Sequence, residues 1–475
     1  VHHAEPTATV RTPTPDGRRM RFILLIPEVR ELLQEGKRED LLSVLGEMHP
    51  TDAASILNAL TVEEIAQVLA ILPTDQERDV FGYLEPEVQE QYVAGAGRER
   101  VKNVLQLMLS DDRAAFLDRL DARVRDQLIP MLPHAAREDL LRRGTFRDDQ
   151  VGSFLTTDYA VLNPLLTARS AIAELRRQAP SKETIYYSYV VDRFGKLLGF
   201  VSLRDLILAE ETKAVGEIMK TDLVSITAEA DQEEAARIIR DYDLIALPVV
   251  DSSGRLVGIV THDDAVDIVE EEAREDFEKM AGVTGDSEGE DFLAEPVMRQ
   301  FRRRAPVICV LGLFWLMTAS VIQAFEGLLH GSVLLVATMP MVMAIGGMVG
   351  SQASTLIIRA IANESKTPFR AMITKELLVS LTLAVVLGAV AFGNALMLQA
   401  WKGDGVDLAE TAHIAMVIAL AMAADVVFAA VLGASIPTLV KLLRIDPALI
   451  STPAVTALTD LTGASIFLLL VTVML

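Results

Sequence analysis

The sequence predicts a multidomain protein: an all-α superhelical N-terminal module, an α/β repeat pair, an acidic connecting helix and a transmembrane domain of five α-helices. Three observations lead there. Charge is segregated from hydropathy. The 475 residues are 51% hydrophobic with a mean hydropathy of +0.32, yet the net charge is −22. Residues 1–304 hold 57 acids against 37 bases and residues 305–475 hold nine against seven, a net of −20 and then −2. A nineteen-residue stretch recurs 59 positions later, and five long apolar segments follow residue 305. An acidic surface of this kind repels nucleic acid and draws cations.

Residues 1–21, polar and rich in Pro and Thr, read as a disordered tail. Residues 22–150 show helical periodicity without strand signals. A Pro-Thr-Asp step at Pro50 recurs at Pro73, 23 residues on, and Pro beside a capping Thr or Asp starts helices. Short helices stacked as a superhelix account for this, and an irregular helical domain is the alternative. Residues 151–272 carry the repeat: "SYVVDRFGKLLGFVSLRDL" (188–206) and "LPVVDSSGRLVGIVTHDDA" (247–265). Each copy reads as strand, Gly turn, strand and helix, preceded by an amphipathic helix. The duplication resembles a tandem pair of CBS domains, which commonly bind adenine nucleotides. Next, "DDAVDIVEEEAREDFE" (263–278) holds nine acids and one Arg. Such a run reads ordinarily as a solvated helix face. Here like charges recur at spacings of three and four, which destabilises a helix unless a cation neutralises them. Residues 273–304 are taken as the connecting helix and linker.

The apolar segments fall at about 306–328, 333–362, 377–401, 411–440 and 447–475. Arg299, Arg302, Arg303 and Arg304 precede the first. Arg359, Lys366, Arg370 and Lys375 lie in or beside the second connection, and Lys441 and Arg444 in the fourth. The other two connections carry only Lys402. The positive-inside rule puts the N-terminus and soluble domains in the cytosol and the C-terminus outside, in an integral protein of the cytoplasmic membrane. Cys309, the single cysteine, permits neither an intramolecular disulfide nor a thiolate zinc cluster.

Asp460 lies near mid-membrane by sequence, where a carboxylate costs about 2.5–3.5 kcal/mol on insertion scales. Asp425 is similarly placed in the fourth segment. Either could make a structural hydrogen bond as a neutral acid, but intramembrane carboxylates more often mark ion pathways. Thr456, Thr459, Thr462 and Gly463 surround Asp460, and Gly346, Gly347 and Gly350 interrupt the second segment beside Ser351 and Gln352. Small residues of this kind commonly just pack helices; with Asp460 they suggest a polar seam. Carboxylates, hydroxyls and carbonyls suit Mg²⁺, Ca²⁺ or Mn²⁺, and Mg²⁺ sheds water reluctantly enough to be held through its hydration shell.

This order of parts, with "ETIYYSYVVD", "DQEEAARIIRDYD", "SQASTLIIRA", "IDPALIS" and "TDLTG", resembles the MgtE family of magnesium channels and transporters over nearly the whole chain after residue 22. The resemblance implies a homodimer in membrane lipid with one central pore, to which Asp460 contributes the carboxylate and Thr452, Thr456, Gly346 and Gly347 belong. It also implies a Mg²⁺ sensor that closes the pore. Its residues would be Asp111 in the helical module, Asp231, Glu233 and Asp243 in the second repeat, Asp264, Glu272, Glu275 and Asp276 on the acidic helix, and Asp446 before the last segment. ATP is implied at the CBS pair, on Tyr187, Ser202, Arg204, Asp205, Thr261 and Asp267. Leu244 stands where some relatives carry an aromatic, and a CBS pair with an empty cleft, serving only as a mechanical element, is the alternative there. In the membrane domain the sequence departs from the family in three places: "GGMVG" puts Met348 where an Asn is common, "STP" puts Thr452 where an Asn is common, and Asp425 has no counterpart. We therefore expect Asp425 to face the conduction path in place of the lost amides. A carrier of Mn²⁺, Ca²⁺ or Co²⁺ and a non-conducting Mg²⁺ or nucleotide sensor are the alternatives. No P-loop, nucleophile elbow or HExxH motif points to an enzyme.

Overall fold

A computed structural model describes residues 15–285, 293, 295–330, 332–362, 368–401, 408–443 and 452–475. The chain divides into two compact units, Val1–Val269 and Glu270–Leu475.

The first unit opens with ten α-helices between Pro15 and Arg143. The first, Pro15–Glu35, begins inside the stretch read as a tail, because nothing from Pro15 to Gly36 forces the chain out of a helix except Pro27, which it tolerates. Residues 1–14 of that tail lie outside the described residues. Both Pro-Thr-Asp steps start helices, Pro50–Leu57 and Thr74–Gly82. Thr61 and Glu64 form a reciprocal capping box on Val62–Leu69. Alternate helices pack on one another: Pro50–Leu57 on Thr74–Gly82, Val62–Leu69 on Pro86–Gly95, and Thr74–Gly82 on Arg98–Leu107. That is the contact pattern of a superhelix. One continuous core, with Ile56, Leu69, Phe81, Tyr92, Leu105 and Phe116, runs through it.

The repeats form two three-stranded sheets. In the first, β1 (Tyr159–Leu162) runs parallel to β2 (Thr184–Val191), which pairs antiparallel with β3 (Leu197–Ser202). In the second, β4 (Ile226–Thr227), β5 (Ala246–Val250) and β6 (Leu256–Thr261) repeat the pattern. The hairpin turns are alike: Asp192 Oδ1 accepts from the amides of Phe194 and Lys196, Asp251 Oδ1 from those of Ser253 and Arg255, and Gly195 and Gly254 take φ of +81° and +77°. The two turns then pair with each other, Leu197 N with Gly254 O and Leu256 N with Gly195 O, at 3.1 and 3.0 Å.

The acidic run continues the second repeat as one helix, His262–Met280. Among the described residues of the second unit, five helices are long and apolar enough to cross a membrane: Val297–Ala324, Val333–Ala362, Phe369–Ala400, Leu408–Leu442 and Thr452–Met474. The first starts nine residues before the apolar segment does, because Arg299–Arg304 are good helix formers and polarity alone does not end a helix. The connecting stretch 273–304 thus comprises the end of one helix and the start of another. The fourth spanning helix packs on the second, third and fifth, and the first packs on the fifth.

Candidate functional site

Three sets of oxygen-bearing side chains stand out. The first is in the membrane domain. Thr452 and Pro453 open the fifth spanning helix, where proline lacks only an N–H that would go unused. Its threonines turn their hydroxyl protons inward: Thr456 Oγ1 donates to Thr452 O at 3.1 Å, Thr459 to Val455 O at 3.0 Å and Thr462 to Leu458 O at 3.1 Å. Their lone pairs stay available to a cation or its water. Ser351 Oγ donates to Gly347 O and lies 2.8 Å from Thr456 Oγ1, joining the second and fifth helices. Asp460 is partly exposed. A Cβ on Gly347 would stand 3.4 Å from Asp460 Oδ1, so the second helix passes directly beside the carboxylate. Gly347, Thr456 and Asp460 therefore meet along one seam, whereas Gly346 lies against Asp425. Met348, 57% exposed, points out of it.

Asp425, expected to face the conduction path, is fully buried within the chain, and among the described residues neither of its oxygens has a hydrogen-bond partner. The fourth helix is the central one, so its middle is covered by the second and fifth. A Cβ on Gly346 would collide with the Asp425 carboxylate, and one on Gly463 would stand 2.8 Å from Oδ1.

The second set lies where the helical module meets the repeat pair. The helix Ser110–Arg119 is capped from outside: Asp158 Oδ2 accepts from Ser110 N at 2.9 Å, and Thr157 N donates to Ser110 Oγ at 2.8 Å. Buried Arg143 donates to Ser110 Oγ and to Asp139 at 3.2 Å each. This junction holds Asp111 and Asp112 near Asp263 and Asp264 at the start of the acidic helix, with Glu183 just before β2. Burial, then Asp264 and Asp112, push the Asp111 carboxyl up to about 7 against the pull of Arg143. Burial and the same crowd of acids push Glu183 up to about 8. Asp112 and Asp264 are raised by desolvation and by neighbouring acids, although Thr261 holds Asp264 down through its amide at 3.1 Å and hydroxyl at 2.7 Å. Asp111 Oδ1 and Glu183 Oε2 are buried without hydrogen-bond partners. Sequence reasoning found Asp111 and Asp264 but missed Glu183, Asp112 and Asp263, whose partners lie far off in the chain.

Three further expected sensor residues of the first unit lie on its surface. Asp231 caps the helix Gln232–Asp241, accepting from Glu233 N at 2.8 Å. Asp243 takes a left-handed φ of +50°, and Asp231, Glu233 and Asp243 are exposed. Glu272, Glu275 and Asp276 lie along the acidic helix, Glu275 paired with Lys279 at 2.8 Å. Asp446 lies outside the described residues. Among the described residues no three His, Cys, Asp or Glu side chains converge as a ready-made metal cage.

The third set is the nucleotide candidate. Tyr187 and Ser202 face each other across β2 and β3, and Ser202 caps the helix Leu203–Leu208 by accepting from Asp205 N. Tyr187, Ser202, Arg204 and Asp205 therefore share one end of the first sheet. Lys220 Nζ stands 3.5 Å from Asp205 Oδ2. Thr261 holds the equivalent place in the second sheet, opposite Ala246, with Asp267 on the helix that follows.

Residues 339–470 match the MgtE family, described as divalent cation transporters. Residues 48–149 match the MgtE intracellular N domain, and 151–211 and 215–271 the CBS domain. The magnesium transporter MgtE of Thermus thermophilus is 35% identical over 449 residues, 94% of this chain and 97% of that one. Its Bacillus subtilis counterpart is 30% identical over 452 residues, again 94% and 97%. The crystal structure of the soluble part of a magnesium transporter is similar with a TM-score of 0.50 and 28% identity, over 53% of this chain and 99% of that one. The cytosolic domain of the Mg²⁺ channel MgtE, crystallised with ATP, is 38% identical over 51% of this chain and all of that one, with a TM-score of 0.47. With its helical module, repeat pair and membrane helices matched in turn, and relatives aligned along nearly their whole length, the chain belongs to the MgtE family of magnesium transporters.

Proposed function

We propose that this protein is a Mg²⁺-selective, Mg²⁺-gated pore of the cytoplasmic membrane, built as a homodimer around the fifth spanning helices. The observation that carries the reading is Asp460, a partly exposed carboxylate in the middle of an apolar helix, flanked by Thr456, Ser351 and the Gly347 backbone. A structural acid would be enclosed and hydrogen-bonded; this one is open on a seam of oxygens. Two such carboxylates across a dimer axis hold a hydrated divalent cation through its water, without the cost of stripping it. Thr452 lies one helical turn before Thr456 along the same path.

The acids at the base of the helical module support gating. Asp111, Asp112, Glu183, Asp263 and Asp264 repel one another, and two carboxylates about 4 Å apart repel by roughly 1–4 kcal/mol near a surface. Mg²⁺ relieves that repulsion where the acids are brought together, so it selects the arrangement with the lower energy when bound, the closed one. Asp231, Glu233, Asp243, Glu272, Glu275, Asp276 and Asp446 extend the sensor over the other cytosolic surfaces. ATP binds the first sheet's end, its adenine on Tyr187 and its ribose on Asp205 with Arg204 toward the phosphates, and Thr261 and Asp267 complete the site. The soluble domains lie in the cytosol and the C-terminus outside.

Uptake into liposomes tests this. Wild type takes up Mg²⁺ in preference to Mn²⁺, Ca²⁺ and Co²⁺, Asp460→Ala does not, and Mg²⁺ on the cytosolic face slows wild-type uptake. Equal uptake by wild type and Asp460→Ala would refute the pore. Indifference to cytosolic Mg²⁺ would refute the gate.

A further inference from the structure

The membrane domain holds a second carboxylate that nothing around it explains. Asp425 is fully buried, and neither oxygen has a hydrogen-bond partner. A buried carboxylate without donors is among the least favourable groups a membrane protein can carry. No basic side chain offsets it from its own helix. His413 is twelve residues before it and Lys441 sixteen after, about 18 and 24 Å along a helix. The fifth helix carries no basic residue, and the second has only Arg359, thirteen residues beyond Gly346.

The surroundings are shaped to leave the carboxylate bare. The second helix offers it Gly346 and the fifth offers Gly463, and a Cβ at either place would intrude on the oxygens. The next residue of the second helix, Gly347, faces Asp460. The two acids thus meet adjacent positions of one glycine pair. Two carboxylates so placed do not both stay ionised at low cost, and either a retained proton or a bound cation relieves the pair.

We propose that Asp425 forms a second, enclosed subsite for a hard divalent cation, behind Asp460 and reached past the Gly346–Gly347 backbone. It rests on the reading of Asp460 as the pore carboxylate and adds a place inside each subunit. There an ion that has given up part of its water is held by the Asp425 oxygens and by the field of Asp460. Asp460 then receives the hydrated ion, and Asp425 sets how strongly the seam holds it.

The test uses the full chain in liposomes and compares wild type, Asp425→Asn and Asp460→Ala. Asn keeps the volume of Asp and removes its charge. We expect Asp425→Asn to elute and melt as wild type does. Its half-saturating Mg²⁺ concentration should rise at least fivefold and its ratio of Mg²⁺ to Mn²⁺ uptake should change. A concentration dependence and ion ratio equal to wild type would overturn the subsite and leave Asp425 as a packing residue. If Asp460→Ala itself transports normally, the pore reading falls and the subsite with it, an outcome distinct from failure at Asp425 alone. Should Asp425→Asn fail to fold, Asp425→Ser, smaller and also neutral, takes the same measurements.

Discussion

Glu183 precedes β2, its amide bonded to Asp158 O at 2.7 Å, and its carboxyl faces four aspartates. Its protonation belongs to the fold as much as to any ion. Unfolded carboxyls titrate near 4, whereas Asp111 titrates at about 7 and Glu183 at about 8 in the folded protein. Between those limits the folded chain keeps protons that the unfolded chain releases, so stability falls as pH rises from about 4 to about 8. A divalent cation bound among these acids would reverse this by taking the place of the protons. We predict that the melting temperature of the Mg²⁺-free full chain drops from about pH 5 to about pH 8 and that saturating Mg²⁺ flattens the drop. Glu183→Gln should raise the Mg²⁺-free melting temperature at pH 8 and shrink the gain from Mg²⁺. No change in either would remove Glu183 from the sensor. Asp111 and Asp264 were legible in the sequence only through family resemblance. Glu183 was not legible at all: one acid before a strand carries no signal until the fold brings Asp111 and Asp263 to it.

Whole elements were easier to read than their neighbours across space. The hairpins β2–β3 and β5–β6 follow from valine-rich runs around Asp-Gly turns, and the helices Pro50–Leu57 and Thr74–Gly82 from their proline starts. The strands β1 and β4 escaped because four and two residues are too short to show an alternation. Gly258 shows what a repeated glycine is for. It lets Thr156 pair with Ile259, and a Cβ there would stand 2.9 Å from Thr156 O and strike Leu155. Gly258→Ala should cost about 1–3 kcal/mol in a chemical-denaturation measurement, the range for forced overpacking. A second contact joins the acidic helix to the membrane domain's entry. Arg303, 12% exposed, pairs with Glu278 and, at 3.3 Å, with Glu295, and its guanidinium also donates to Gly285 O at 2.7 Å. Thr284 N returns a bond to Arg303 O at 3.1 Å. Arg303→Ala removes the guanidinium that Glu278 and Glu295 share. We expect faster amide exchange at Ala281–Gly285 and a smaller effect of cytosolic Mg²⁺ on uptake; protection equal to wild type would show that the clasp bears no strain between these elements.

At the scale of the molecule, the segregation of charge does two jobs. The −20 carried by residues 1–304 raises the local concentration of divalent cations over that part of the chain. The nearly neutral remainder holds the five apolar helices, and the basic residues that flank them predict the direction of crossing. Those at the foot of the first spanning helix, around the connection from the second to the third, and after the fourth outnumber the single Lys402 on the opposite side. Each juxtamembrane basic residue is worth about 1 kcal/mol of attraction to an anionic cytoplasmic leaflet, so the bias is several times thermal energy. If all five apolar helices cross, the segments before the first and after the fifth face opposite compartments. Cys309 is the single thiol, so a Cys309→Ala background makes any introduced cysteine a clean reporter. Glu87, exposed in the first turn of Pro86–Gly95, and Leu475, half exposed after the fifth helix, are suitable positions. In intact cells a membrane-impermeant maleimide should label Leu475→Cys and spare Glu87→Cys, and permeabilisation should expose both. The reverse pattern would invert the topology and put the acidic sensor on the outside, where it could not read cytosolic Mg²⁺; equal labelling of both in intact cells would rule out an odd number of crossings.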